Sequence, residues 1–250
     1  MDNFKDNFSK HSDIYLKYRP HYPVGLFSYL SSLTAQHDLA WDCGTGNGQA
    51  AIALTGFYDI VVATDPSGQQ INNAIPHHKV CYKVEKAEHS SIPSHTADLL
   101  TIANALHWFD FDLFYKEANR VLKPGGIIAA WCYEVPTISP AINPILRHYH
   151  DHTLNNYWQP ENRLVEKGYA TLTFPYDIID APIFYCEKDM CLDDLIGYLN
   201  TWSATQRHIA ATGTNPTNEL KVMLEKVWGD AKTIKNVSWR LFLKVGRTSY

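Results

Sequence analysis

Positive charge is scarce in this chain: 22 Lys and Arg stand against 26 Asp and Glu, leaving a formal net charge of −4. A protein that holds a nucleic-acid backbone needs a basic face to displace counterions, and no cluster of Lys and Arg supplies one. The same scatter leaves no polybasic patch for an anionic membrane, and no apolar run approaches the length of a membrane span. Met1-Asp2-Asn3-Phe4-Lys5-Asp6 contains no apolar signal region. Cysteine is sparse and irregular. Cys43, Cys81, Cys132, Cys186 and Cys191 form an odd set with no C-x-x-C spacing, which reads as reduced thiols in a cytoplasmic protein. A G-K-[ST] phosphate loop and a nucleophile elbow are missing as well, which sets aside two common phosphate and acyl chemistries. No internal repeat or low-complexity tract interrupts the chain.

What is present is a core. At 250 residues and 45% hydrophobic content the chain is long enough for one large domain with a modest elaboration. Its 15 Tyr and 7 Trp exceed what a core requires, so some of these rings are expected to line a pocket. Strand-forming and helical segments alternate through the first half, the mark of a parallel α/β sheet. Strands are predicted at Leu39–Cys43, 60–64, Val80–Val84, Ala97–Ala103 and 126–133, with helices at 48–54, 67–74 and Phe111–Val121. Leu122-Lys123-Pro124-Gly125-Gly126 should end the last of these helices and turn the chain into the fifth strand. Right-handed crossovers then give a doubly wound, Rossmann-like sheet with its ligand at the carboxyl ends of the strands. Beyond Tyr133 the alternation fails. Pro136, Pro140, Pro144 and Pro160 with many aromatics suggest a helical insertion over residues 134–180 that covers the site. Strands at 183–187 and 237–245 would complete a seven-stranded, mostly parallel sheet, with helices at 193–208 and 218–228 between them.

The chemistry concentrates at strand ends. Ala40-Trp41-Asp42-Cys43-Gly44-Thr45-Gly46-Asn47-Gly48 is an apolar strand running into an acidic residue and three alternating glycines. Glycines there permit backbone angles and close ligand approaches that a Cβ would block. The sixth position of the dinucleotide fingerprint is Gln49 rather than glycine. Asp65-Pro66 ends the second strand, where a carboxylate can accept hydrogen bonds from ribose hydroxyls or simply start a turn. Lys86-Ala87-Glu88-His89 follows the third strand and Asn104-Ala105-Leu106-His107-Trp108-Phe109 the fourth. His148 and His152 would share a helix face, but no H-E-x-x-H motif and no third ligand accompany them, so no metal is expected.

The segment from Asp42 to Gly48 resembles motif I of class I S-adenosylmethionine (SAM)-dependent methyltransferases. The stretch from Ala97 to Phe109 resembles the type-11 family of these enzymes. Tyr15-Leu16-Lys17-Tyr18-Arg19-Pro20-His21-Tyr22-Pro23 is similar to the opening segment of small-molecule methyltransferases of the trans-aconitate type, in which it forms a lid. The resemblance implies SAM as cofactor and S-adenosylhomocysteine as product. It implies cofactor contacts from Tyr18, Arg19, Asp42, Gly44, Gly46, Gly48, Asp65, Pro66, Ala87, Glu88, Asn104 and Trp108. Tyr22, His107, Trp108, Tyr133 and Trp202 are the expected acceptor contacts, with His107 the candidate base. Arg19 offers a planar fork that could meet a substrate carboxylate, the cofactor or a neighbouring acid.

The expected organisation is a single domain with a lid at 1–35, a SAM-binding core at 36–133, the insertion at 134–180 and a closing segment at 181–250. The expected partner is a small-molecule methyl acceptor, on a carboxylate or hydroxyl oxygen, with no nucleic acid and no membrane, in a monomer or homodimer. Two alternatives stay open: a non-catalytic SAM-binding protein, and an NAD-dependent oxidoreductase. The second lacks both the glycine at Gln49 and a Tyr-x-x-x-Lys set.

Overall fold

The computed structural model describes residues 18–249; residues 1–17, about half of the expected lid, lie outside that range. After α1 (Val24–Ser32) come β1 (Leu39–Cys43), α2 (Gln49–Leu54), β2 (Ile60–Asp65), α3 (Gly68–Asn72) and β3 (Val80–Val84). β4 (Ala97–Ala103), α4 (Phe111–Val121) and β5 (Leu122–Tyr133) follow. These five strands are parallel and lie in the order β3-β2-β1-β4-β5. The chain therefore builds outward from β1 in one direction and then restarts beside it with β4. The gap above β1 and β4 is the switch point where open α/β sheets take their ligands.

Period-two alternation assigns each strand's side chains to opposite faces. Ala40, Leu99, Ala129 and Trp131 join a cluster with Leu26, Phe27 and Leu30 of α1 and Ala50 and Leu54 of α2. Trp41, Leu100, Ile102, Ile128 and Ala130 face the other way, onto Phe114, Ala118 and Val121 of α4. Both faces are dry, so β1 and β4 read as almost continuous apolar runs. The Asp110 side chain caps α4 by accepting from the Leu113 amide at 3.2 Å, satisfying one of the orphan donors of the first turn.

Three features correct the expected organisation. First, the Lys-Pro-Gly-Gly stretch does not precede the fifth strand but bulges out of it. Pairing with β4 jumps from Ala97–Leu122 to Leu99–Ile127, and Gly125 takes φ +73° in the bulge. Second, the sheet has eight strands rather than seven. The additional one, β6 (Asp177–Ile179), closes the region expected to be helical. Before it that region holds only short pieces: α5 (Asn143–His148), which widens into a π turn at Tyr149–Thr153, a 3-10 turn at Asn155–Tyr157, and α6 (Asn162–Glu166). Third, the helix expected at 193–208 is two helices, α7 (Leu192–Asn200) and α8 (Ser203–Thr212), because Trp202 between them is extended at φ −69°, ψ 134°. α9 (Thr217–Trp228) leads into β8 (Lys235–Arg247). β8 pairs antiparallel with β7 (Tyr185–Met190) through its first half and with β5 and β6 through its second. Among the described residues no helix is long and apolar enough to cross a membrane.

Candidate active site

The turn from β1 to α2 is held by its own neighbours. The amides of Gly44 and Thr45 donate to the Thr64 carbonyl at 2.9 and 3.0 Å, stitching the loop to β2. The Gly46 amide donates to Asp65 Oδ2 at 2.9 Å, and Asp65 Oδ1 accepts from the Ser67 amide at the same distance. Asp65 thus joins the two loops that flank the switch point. Asp42 lies beneath them, fully buried, with Thr45 Oγ1 donating to one carboxylate oxygen and Thr101 Oγ1 to the other at 2.8 Å. Burial pushes its carboxyl up to about 6, against the pull of those two hydroxyls.

The three glycines do different things. A Cβ on Gly44 would stand 2.6 Å from Ala105 Cβ, and one on Gly48 would stand 2.2 Å from the Tyr82 hydroxyl. A Cβ on Gly46 (φ +56°) would meet nothing within 4 Å. Gly46 faces open space; the other two are close-packed.

That space is a cavity of about 930 Å³, at the upper end of the range for small-molecule sites. Gly44, Gly46, Asp65, Pro66, Ala87 and Glu88 line one side of it, from the ends of β1, β2 and β3. Glu88 also accepts from the Asp110 amide at 3.0 Å, bracing the start of α4. Asn104, His107 and Trp108 line the part beyond β4. Asn104 adopts φ +56°, and its amide donates to the Trp131 carbonyl at 2.7 Å. Its Oδ1 is buried without a hydrogen-bond partner, as are Asn47 Nδ2 and Gln49 Nε2 on the facing loop. Buried polar atoms are normally paired, so three orphans around one cavity mark it as a ligand site.

Arg19, Tyr22, Tyr133 and Trp202 line the remaining side. Arg19 is buried at 7% exposure. Its Nε donates to Thr201 Oγ1 at 3.0 Å, Nη2 to the Thr201 carbonyl at 3.3 Å, and Nη1 to the Tyr133 hydroxyl. The guanidinium lies 5.3 Å from the Tyr198 ring centroid. Among the described residues it is the one buried cation of the Lys and Arg set.

Expectation and structure part at four residues. Asp42 and Gly48 do not line the cavity: the first anchors the loop from below and the second admits Tyr82. Tyr18 is also absent from the wall; its ring lies where a Cβ on Gly197 would be, 2.5 Å away. His107 does line the wall, but its ring is poorly suited to act as a base. Nδ1 is 2.9 Å from the Tyr169 hydroxyl, and burial lowers the imidazole to about 3. The fully buried Tyr169 phenol keeps its proton, burial holding its pKa well above the usual value. His107 is therefore neutral near pH 7.

Ten lining residues carried no legible sequence signal: Glu134, Val135, Arg147, His150, Asp151, Trp158, Glu161, Asn162, Val165 and Glu166. They come from the irregular region after β5, where only an excess of aromatics hinted at a pocket. The His148 and His152 rings lie 4.7 Å apart, tilted by 32°, and no group of three or more metal-ligating side chains occurs among the described residues.

Comparison with known proteins agrees with this geometry. A methyltransferase-domain family model matches residues 41–130, the span from β1 to β5. A Dictyostelium discoideum protein named for the methyltransferases is 32% identical over 239 residues, covering 92% of this chain and 91% of its own. A solved structure from Anaeromyxobacter dehalogenans, named as a type II methyltransferase, is 37% identical with a TM-score of 0.86 over 92% of this chain and 97% of that one. The malonyl-[acyl-carrier protein] O-methyltransferase of Dechloromonas aromatica is 33% identical over 139 residues, which is 52% of this chain and 50% of that protein. The nicotinamide-dependent alternative falls with these likenesses. Similarity sustained over nine-tenths of both chains, on a fold that superimposes throughout, fixes the relationship: this chain belongs to the class I SAM-dependent methyltransferases of type 11.

Proposed function

We propose that this enzyme transfers the methyl group of SAM to an ionised carboxylate oxygen of a small molecule. The observation that carries the reading is Arg19, a buried guanidinium in the cavity wall, oriented by Tyr133 and Thr201. A planar fork with fixed neighbours is suited to grip a carboxylate.

The donor side fits the cofactor. Gly46 offers an open backbone face, Asp65 would take the ribose hydroxyls, and Ala87 with Glu88 would border the adenine. The orphaned Asn104 Oδ1 would accept from the cofactor's amino group, and Asn47 Nδ2 would donate to its carboxylate. When bound, SAM supplies a sulfonium-activated methyl group that needs no further activation by the protein.

The chain's own residues then have three tasks. Arg19 and Tyr133 hold the acceptor, the aromatic wall excludes water, and the combined surfaces fix the line of attack. No proton has to move, because a carboxylate is already ionised at neutral pH. That agrees with a His107 too acidic to serve as base. The name of the Dechloromonas relative, an O-methyltransferase, points to the same kind of acceptor atom.

The test is methyl-ester formation from a panel of carboxylic acids with SAM, for the native protein, Arg19→Gln and Tyr133→Phe. Losing charged hydrogen bonds of about 1.5–3 kcal/mol should raise KM roughly 10- to 100-fold in Arg19→Gln and less in Tyr133→Phe, with S-adenosylhomocysteine affinity retained. Ester formation from no acid, alongside turnover of a hydroxyl acceptor, would overturn the reading. Product binding without turnover of any acceptor would return the chain to the non-catalytic alternative.

A further inference from the structure

We infer that the acceptor is a monocarboxylate with a planar apolar body, selected by Trp158 and Trp202, and that acidic side chains at the cavity mouth turn polycarboxylates away. The inference rests on the carboxylate reading above and deepens it.

An aromatic surface runs outward from Arg19. The guanidinium stands over Tyr198 at 5.3 Å; Tyr198 meets Trp202 at 5.8 Å and 83°, and Trp202 meets Trp158 at 5.6 Å and 51°. Trp158 is fixed in turn, its Nε1 donating to the His150 carbonyl at 3.1 Å and its ring lying 4.8 Å from the His150 ring. These tilted and edge-on rings present faces and edges, the surface that a flat unsaturated group complements.

Burial gives the cavity a direction. Arg19 and Trp202 are 7% and 6% exposed, whereas the side chains of Glu134 and Asp151 are 30% and 46% exposed. The first pair marks the inner end and the second the mouth. Of the residues after β5 that line the cavity, Glu134, Asp151, Glu161 and Glu166 are acidic and Arg147 is basic, and Asp151 Oδ1 lies 2.7 Å from His150 Nδ1. Arg147 lies 4.0 Å from Glu134, and Glu166 is engaged by Arg163 at 2.8 Å. With one carboxylate on Arg19 and an apolar body along the tryptophans, a second acid group would arrive among Asp151, Glu161 and Glu134. Like charges brought together in a partly enclosed space repel.

The probes are trans-cinnamate and citrate. Ester formation with SAM is followed by mass spectrometry, and acceptor binding by quenching of tryptophan fluorescence in the presence of S-adenosylhomocysteine. Cinnamate should be preferred over citrate by roughly tenfold or more in kcat/KM. Trp158→Ala should raise KM and the fluorescence Kd for cinnamate about tenfold, with Trp158→Phe recovering most of the loss. Asp151→Asn with Glu161→Gln should narrow the cinnamate–citrate gap several-fold. Citrate turned over as well as cinnamate, or Trp158→Ala affecting both acids alike, would overturn this inference alone. A protein that binds S-adenosylhomocysteine yet esterifies no acid would overturn the carboxylate reading and this inference with it.

Discussion

Gly44 and Gly46 sit two residues apart in one loop, both with positive φ, and alanine should affect them in opposite ways. At Gly44 (φ +69°) a side chain costs about 1–2 kcal/mol for the left-handed backbone alone. Its Cβ would lie 2.6 Å from Ala105 Cβ and 3.2 Å from Phe109. The Ala105 methyl cannot rotate away, so the loop or the segment after β4 must shift, at about 1–3 kcal/mol. Stiffening the unfolded chain offsets about 0.4–1 kcal/mol. The net loss of roughly 1.5–4 kcal/mol lowers Tm by about 4–15 °C in a chain of this size. Gly46→Ala carries the backbone term without any overlap, so after the same offset it should cost at most about 1.5 kcal/mol. Its methyl, however, enters the cavity where the cofactor is expected to approach the main chain. S-adenosylhomocysteine affinity should fall about tenfold or more. Thermal unfolding and titration calorimetry on both variants separate the two effects. Equal destabilisation, or unchanged affinity in Gly46→Ala, would refute the division of labour drawn within this loop.

Other consequences follow from the same site and its supports. Asp65→Ala should weaken stabilisation by S-adenosylhomocysteine; at a hundredfold over Kd the native protein gains about 2.7 kcal/mol, or roughly 5–10 °C, and the variant should show much less in a thermal shift assay. His107→Asn should reduce turnover by loosening the wall while leaving the shape of the kcat/KM profile between pH 5.5 and 8 unchanged, since the native imidazole titrates near 3; a lost inflection near 6.5 would restore the base role. Acid unfolding should be governed by two opposed carboxylates. Burial would raise Glu117, but hydrogen bonds from Arg120 and from the Ser90 amide and hydroxyl bring it down from 4.5 to about 2. Its stabilising contribution is therefore complete above about 4.5 and is lost as pH falls towards 2. Asp42 runs the other way: held at about 6 against 3.8, the folded state binds its proton more tightly, so stability declines as pH rises from about 4 to 6 and is then flat. Urea midpoints from pH 3 to 8 should lose the first slope in Glu117→Gln and the second in Asp42→Asn.

The first half of the chain was legible because its signals are local. Apolar runs such as Leu39–Cys43 and Ala97–Ala103 are buried on both faces, and the glycines at 44, 46 and 48 mark a turn that few other residues tolerate. Of the contacts implied by the family resemblance, Gly44, Gly46, Asp65, Pro66, Ala87, Glu88, Asn104 and Trp108 all line the cavity. Asp42 was misplaced by one layer because spacing cannot distinguish a carboxylate facing a ligand from one facing Thr45 and Thr101. The part of the wall contributed after β5 was harder to read for a different reason. Trp158, His150 and Arg147 reach it through a π turn, short helices and proline-interrupted chain, which have no period to detect. Trp202 was expected at the pocket and lines it, yet the break in the helix that orients it was not foreseen, because Asn200-Thr201-Trp202-Ser203 contains neither glycine nor proline. Likewise β6 has only three residues, and its strand character comes from β8 rather than from its own composition.

Arg19 meets Thr201 across 182 residues of chain, and this sets a timetable. At about 5–20 residues per second, a ribosome needs roughly 10–40 seconds to travel from one partner to the other. During that interval strands β1 to β5 can already assemble from near-neighbour contacts, while β5 waits with an open edge for β8 to be made. A nascent chain can thus complete the side of the cavity built by β1 to β4 well before Arg19 meets Thr201. It remains exposed to mispairing along that edge until β8 emerges, and Arg19 finds its partner only once Thr201 has been made.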